Sequence, residues 1–205
     1  MEHSLVERNV KARADAWSIV NLTAPIADLR WSVDHVYSIE LETMNRLNEL
    51  GASLRLHTTR RYMEGSAGPP FRFILDNLVH EGNKMHVGAG SDAAQRGPIN
   101  PWLNIYYIVS GRDVTGELVN AGQQATRQEA IWLYTAANGW FSREEDVLGS
   151  IKVGKFGDLV VLNNDFFDEN EVPEEEIKAI ASVLTIVGGR IVHDTGVLDL
   201  QQIPP

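Results

Sequence analysis

Between residues 31 and 89 the chain alternates between short extended runs and helical runs, and this alternation constrains the fold more than any other feature. Trp31-Ser-Val-Asp-His-Val-Tyr37 reads as a strand. Residues 39–50 follow as a helix, with Ile39, Met44, Leu47 and Leu50 on one side and Gly51 as its stop. Residues 52–57 alternate as a second strand, and a loop through Gly65, Gly68, Pro69 and Pro70 comes next. Phe71, Ile74, Leu75, Leu78 and Val79 repeat at i, i+3, i+4, i+7 and i+8 and predict a helix that Gly82 ends. A third strand at 84–89 runs into Gly90-Ser91-Asp92. Strand, helix, strand, helix, strand predicts βαβ units, a parallel sheet and the α/β class. Right-handed crossovers put every strand's C-terminus at one end of that sheet, so His35 and Asp92 should share it.

The flanks are simpler. Residues 5–21 read as a weakly amphipathic helix, through Leu5, Val10, Ala14, Trp17 and Val20. Thr126-Arg-Gln-Glu129 and Ser142-Arg-Glu-Glu145 both fit the capping box and predict helices starting near 127 and 143. Past residue 150 the texture turns to strands: Asp158–Leu162, then Val183–Val187 and Arg190–His193 around the hairpin signal Gly188-Gly189. The acidic run from Asp165 to Glu176 reads as a solvated loop and helix start.

The net charge of −10, from 18 basic and 28 acidic residues, opposes a nucleic-acid partner. The absence of cysteine excludes disulfides and thiolate metal sites. No apolar run approaches the roughly 20 residues of a membrane helix, and the start Met1-Glu2-His3-Ser4 is no signal peptide. The expectation is a soluble, cytoplasmic protein.

Asp92 carries most of the chemical interest. It directly follows an apolar strand, and the C-terminal ends of parallel strands are where catalytic groups collect. A carboxylate there can ligate a metal or take a proton from water; the plainer alternative is a turn cap. Gly88-Ala-Gly-Ser-Asp-Ala93 also fits a dinucleotide fingerprint, with Asp113 about twenty residues on. That reading needs a helix opening inside the motif, and Gly97, Pro98 and Pro101 interrupt it. His35 closes its strand, where a neutral imidazole can ligate zinc, although a lone strand histidine is more often a satisfied core residue. His3, His57 and His86 are similar singletons, His86 reads as structural, and His80 sits at a helix end. Neither H-x-H nor H-E-x-x-H occurs.

Taken together, the segments resemble the amidohydrolase superfamily, specifically its amidohydrolase-3 group. Val87-Gly-Ala-Gly-Ser-Asp92 resembles the family's last barrel strand, and Thr126–Ala130 through Leu133–Ala136 the helix after it. Gly149–Lys155 with Gly157–Leu162 resembles the return into a β-sandwich, and Thr185–His193 its closing hairpin. Leu29-Arg-Trp31 with His35 is similar to the sixth strand. The resemblance implies a partial (β/α)8 barrel over 1–148, holding strands six to eight and at most the end of strand five, and C-terminal sandwich strands over 149–205. It implies hydrolysis of non-peptide C–N bonds in small amide-type substrates, with a divalent metal, zinc foremost. By the same resemblance His35 is the strand-six ligand, Asp92 the strand-eight ligand and proton shuttle, and His3 the strand-five ligand.

The departures shape the rest of the reading. A full barrel takes about 250 residues, and the family's H-x-H pair and bridging ligand have no counterpart here. Two histidines and a carboxylate satisfy the three-ligand rule for catalytic zinc, yet without the H-x-H pair this chain alone is expected to show negligible hydrolase activity and weak metal binding or none. The competing function is a catalytically incompetent remnant. Uncovered sheet edges and apolar sandwich strands imply a homo-oligomer, most simply a twofold dimer.

Overall fold

The computed structural model describes residues 2–78, 82–93, 95 and 97–196. Its first sheet has four parallel strands in chain order: β1 (Glu2–Ser4), β2 (Ser32–His35), β3 (Ser53–His57) and β4 (Val87–Gly90). The helices α1 (Glu7–Asn21) and α2 (Leu41–Glu49) carry two of the crossovers. Between β3 and β4 lie α3 (Thr59–Glu64) and α4 (Phe71–Leu78). The expected alternation is present, with β1 added in front of it, so His3 lies within a short strand. His80 and Val79 lie outside the described residues.

The pleat explains which face is covered. Val33, Leu54 and Val87 stand in register, as do Leu56 and Ala89, and all are buried in one core with Leu47, Ile74, Leu75 and Phe71. Burying each such aliphatic or aromatic side chain stabilises the fold by about 1.5–3 kcal/mol. Asp34, Arg55 and Gly88 occupy the alternate register and form a polar opposite face. There Asp34 accepts from Arg55 Nε at 2.7 Å and Nη2 at 2.8 Å, a two-pronged ion pair that keeps its fully buried carboxylate satisfied.

Beyond β4 come α5 (Pro101–Ser110), α6 (Arg127–Tyr134) and α7 (Ala136–Ser142). The Thr126 capping box forms as predicted, with Thr126 Oγ1 accepting from Glu129 N and Glu129 reaching back to Thr126 N. The second box does not form. Ser142 closes α7 with its hydroxyl on Gly139 O, Arg143 takes the left-handed cap at φ 62°, and Glu145 is drawn to Arg30. The expected helix at 143 is therefore absent. α7 has a different task at β4, the last strand of the sheet. His86 and Gly90 give their carbonyls to β3, so that of Ala89 points to the open edge, where Asn138 Nδ2 donates to it at 3.0 Å. A Cβ at Gly88 would collide with Asn138 and Phe141, so only glycine admits this cap.

The second sheet is antiparallel: β5 (Leu159–Leu162), β6 (Ser182–Val187) and β7 (Arg190–Asp194), in that order. The predicted hairpin is present, and Gly188 and Gly189 have φ of 57° and 75°, the two positive values a primed turn needs. The acidic run becomes loop and a 3-10 turn, Glu174–Ala179. Its Phe166, Val172, Ile177 and Ile180 join the same core as the parallel sheet's helices. Arg127 reaches in to donate to the carbonyls of Phe166 and Val172. No helix among the described residues is long and apolar enough to cross a membrane.

Candidate metal centre

At the C-terminal end of the parallel sheet four ionisable side chains meet. His35 leaves β2, His57 ends β3, Asp92 follows β4 by two residues, and His3 comes from β1. A regular pleat would aim His35 to the covered side with Val33. Instead His35 has φ 75° and Val36 N donates to Asp34 O at 3.1 Å, which makes His35 the centre of a γ-turn of the strained, positive-φ kind. The turn carries the imidazole across to the polar side, where its ring centroid lies 4.6 Å from that of His57, edge to face. Val36, β-branched, is itself left-handed at φ 51°, and Asp92 at φ 52°. Such conformations cost about 1–3 kcal/mol each and persist only where the surroundings fix them.

Around the site those surroundings are visible. Tyr37 N donates to Leu5 O at 2.7 Å, tying the kinked chain to the end of β1. Thr58 N and Thr59 N donate to the carbonyls of Gly90 and Ser91, each at 3.3 Å, which carries the β3–β4 pairing out to the foot of Asp92. Asn104 of α5 accepts from both the Thr58 and Thr59 hydroxyls behind them.

Distances around His35 are short. Its Nε2 lies 2.8 Å from His3 Nδ1, so one of these two nitrogens carries the proton and the other accepts, and 3.8 Å from Asp92 Oδ2. Its Nδ1 is 3.4 Å from the Tyr37 hydroxyl. His3 Nε2 also comes within 3.8 Å of Asp34 Oδ2. Burial lowers the His35 pKa, and His3 lowers it further against the opposing pull of Asp92 and Asp34. Burial brings His57 down to about 4, helped by His35. Both rings are therefore neutral at neutral pH, the form that offers a lone pair to a metal.

The sequence-predicted residues are thus partly united. His35 and Asp92 share the sheet end as expected, and His3 touches His35. Yet the group whose ligand atoms all lie within 4.8 Å of one another is His35, His57 and Asp92, without His3. His57 was a singleton in sequence; the signal that it matters is its place at a strand's C-terminal end between two others. Two imidazoles and a carboxylate are the donor chemistry of catalytic zinc. The buried Nδ1 of His57 has no hydrogen-bond partner among the described residues. Asp113 has no part here: its carboxylate accepts from Thr115 and Glu117 in a turn. No helix opens at Gly88–Ala93, so the dinucleotide reading falls. His86 lies just before β4, stacked on Trp140 at 4.1 Å.

The cluster opens into a cleft of about 700 Å³ bordered by Asn9, Arg60 and Gln95 as well as His3, His35 and Asp92. Comparisons with known proteins agree with this architecture. Atrazine chlorohydrolase TrzN from Arthrobacter aurescens, solved with zinc, superposes with a TM-score of 0.66 at 15% identity, over 97% of this chain and 45% of that one. E. coli guanine deaminase gives 0.56 at 19% identity, over 80% and 39%. An uncharacterised metal-dependent hydrolase from Pyrococcus furiosus gives 0.54 at 18%, over 75% and 31%. This chain spans less than half the length of each, and no curated protein matches it. A family model described as the amidohydrolase family matches residues 3–193. By that match, over nearly all of its 205 residues, the chain belongs to the amidohydrolase family.

Proposed function

We propose that this chain contributes to metal-dependent hydrolysis of non-peptide C–N bonds in small amide-type molecules, and that its parallel sheet is an arc of a (β/α)8 barrel, with residues 1–148 as the barrel part and 149–205 as sandwich strands. The observation that carries the reading is the convergence of His35 and Asp92 from two strand ends on one cleft, 3.8 Å apart. Similar structures are metal-dependent hydrolases, one of them solved with zinc. His35 and Asp92, with a further histidine, would hold a divalent metal, zinc foremost. Bound there, the metal supplies Lewis acidity and makes water acidic enough to attack at neutral pH.

The chain's own residues do the rest. Asp92 Oδ2 faces the cleft, half-exposed, where a carboxylate takes the proton of the attacking water and returns it to the leaving nitrogen. Tyr37 holds His35 through Nδ1, so that Nε2 faces His3 Nδ1 and Asp92. A second reading, a catalytically silent chain that folds by self-association, is favoured by the exposed apolar residues of β5 and β7.

The test is hydrolysis of a panel of N-acyl amino acids, cyclic imides and aminopurines by the zinc-supplemented chain. Turnover that a chelator stops and that Asp92→Asn lowers by about 10²–10⁴-fold would support this reading over the expectation of negligible activity for the chain alone. Absence of turnover across the panel, from folded and metal-loaded protein, would leave the second reading.

A further inference from the structure

The opposite end of the parallel sheet holds a second cleft, of about 620 Å³, that the hydrolase reading does not use. It forms where the chain enters each strand. Asp28 and Arg30 line it ahead of β2, Gly51 ahead of β3, and Lys84 and His86 ahead of β4. Trp140 and Arg143, at the end of α7, complete it. Gly51 lets two backbones meet there, since a Cβ would lie 2.9 Å from Ala27 Cα. Five non-glycine residues among those described have positive φ. His35, Val36 and Asp92 belong to the metal centre, and the other two, Arg30 at 55° and Arg143 at 62°, line this cleft. Both are C-caps, positions that glycine fills without strain. Arginine there costs backbone energy, and what it adds is a guanidinium at the cleft.

The cations divide into two kinds. Arg30 is structural: it is paired with Glu145, donates to the Trp140 carbonyl, and lies 4.8 Å from the Trp140 ring centroid. Trp140 is thereby fixed, and His86 stacks on it with centroids 4.1 Å apart and planes within 9°. The His86 backbone is fixed as well, its amide donating to Ser53 Oγ and its carbonyl accepting from Leu54 N. Lys84 and Arg143 are the second kind. Both are exposed, and neither makes an ion pair among the described residues. With Arg30 offset by Glu145, they outweigh Asp28, so the cleft is locally positive on a chain of net charge −10.

A fixed pair of stacked rings offers a flat surface, and two cations without protein partners suit an anion with several oxygens. Volume narrows the choice. A bare phosphate fills little of this space, which lies within the range of sites for drug-sized ligands. Asp28 accepts hydrogen bonds, so it favours a ring that carries N–H donors over a hydrocarbon one. We propose that this cleft binds a mononucleotide, with its base stacked against the His86–Trp140 pair and its phosphate between Lys84 and Arg143. The acidity that opposes a polyanion bears less on a ligand with one phosphate, because salt screens charges more than about 8–10 Å away. Nothing in the proposal depends on the metal centre or on hydrolysis.

The test is calorimetric titration of the full chain with AMP, adenosine and inorganic phosphate. AMP should bind at one equivalent and at least about 10-fold more tightly than either of the others, since it alone engages both halves of the cleft. His86→Ala should weaken AMP roughly 5–150-fold, the loss expected for one base stack, and His86→Phe should restore most of it. Lys84→Ala should cost about 10-fold, and Arg143→Glu should remove measurable binding of AMP and of phosphate. Lys84 and Arg143 are exposed, and far-UV circular dichroism confirms that each variant is folded. Arg60→Ala, which alters the cleft at the other end of the sheet, should leave AMP binding unchanged. No binding of AMP by the folded chain, equal affinity for AMP and phosphate, or unchanged binding in His86→Ala would each overturn the proposal. A loss in Arg60→Ala as large as in Arg143→Glu would do so too, because it would move the site to the other cleft.

Discussion

Val33, Leu54, Leu56 and Val87 on the parallel sheet are at most 1% exposed, whereas Val160, Ile191 and Val192 on the antiparallel sheet are all more than half exposed. Both sheets present branched aliphatic side chains, and what separates these residues is cover. The first sheet has α1, α2 and α4 on one face and a buried ion pair, the histidines and α7 on the other. The second has a hairpin and a bulged neighbour, with the larger part of its apolar surface facing water. Covered strands can hold side chains in strained backbone, and the candidate ligands lie on them or, for Asp92, two residues past β4. The uncovered sheet has the makings of an interface instead.

The sharpest way to break this comparison is by deletion of side chains. Leu54→Ala removes a fully buried side chain from between two strands and should cost about 2–5 kcal/mol. Val160→Ala, at 55% exposure, should stay within about 0.5 kcal/mol in the monomer. Urea unfolding of dilute protein measures both. Equal losses would mean that the antiparallel sheet is covered after all.

A second contrast comes from pH. The His57 value of about 4 lies below the ordinary 6.5, so the unfolded chain binds protons first as pH falls. Its contribution is therefore intact above about pH 6.5 and is lost progressively down to about 4, on the order of 3 kcal/mol in metal-free protein. His35 shifts in the same direction, while Asp34 and Asp92 oppose the shift and Arg55 adds to it. The antiparallel sheet has only His193, exposed on β7. Hydrogen exchange at pH 7.5 and 4.5 should show β2–β4 losing protection while the β6–β7 amides change little beyond the intrinsic rate. A flat profile for the parallel sheet would show that the histidines are not held neutral.

Much of this was legible in sequence because it is local. α4 shows its period, Thr126 and Glu129 are three residues apart, and two adjacent glycines make the hairpin turn. What failed was long-range or all-round. α5 is buried on every side, so it has no amphipathic stripe, and Pro101 read as a breaker when it stands at the first helical position behind Asn100. The box at Ser142 was sound locally but lost Glu145 to Arg30, 115 residues away. Of the centre, Asp92 and His35 could be read from strand ends. The γ-turn that re-aims His35 could not, nor could the partnerless nitrogen of His57, because both are set by neighbours distant in sequence.

The smallest effect on monomer stability should accompany the largest effect on assembly. Leu159, Val160 and Val161 of β5 and Ile191 and Val192 of β7 are 36–59% exposed, on strands at the two edges of their sheet. A three-stranded sheet whose two edges have no partner strand among the described residues is a template for further strands, and apolar side chains beside it make that contact favourable. A twofold homodimer is the simplest outcome, because one self-complementary patch then covers both copies, over an area on the order of 2,000 Å². Ile191→Lys puts a charge in the middle of that patch and removes little from the monomer's own core, since Ile191 is 53% exposed. The parent chain should scatter light as a dimer at micromolar concentration, and Ile191→Lys as a monomer with unfolding free energy within about 0.5 kcal/mol of the dilute parent. A parent that is monomeric at that concentration would refute the assembly, and a variant that unfolds would place Ile191 in a core that the exposed strand does not have.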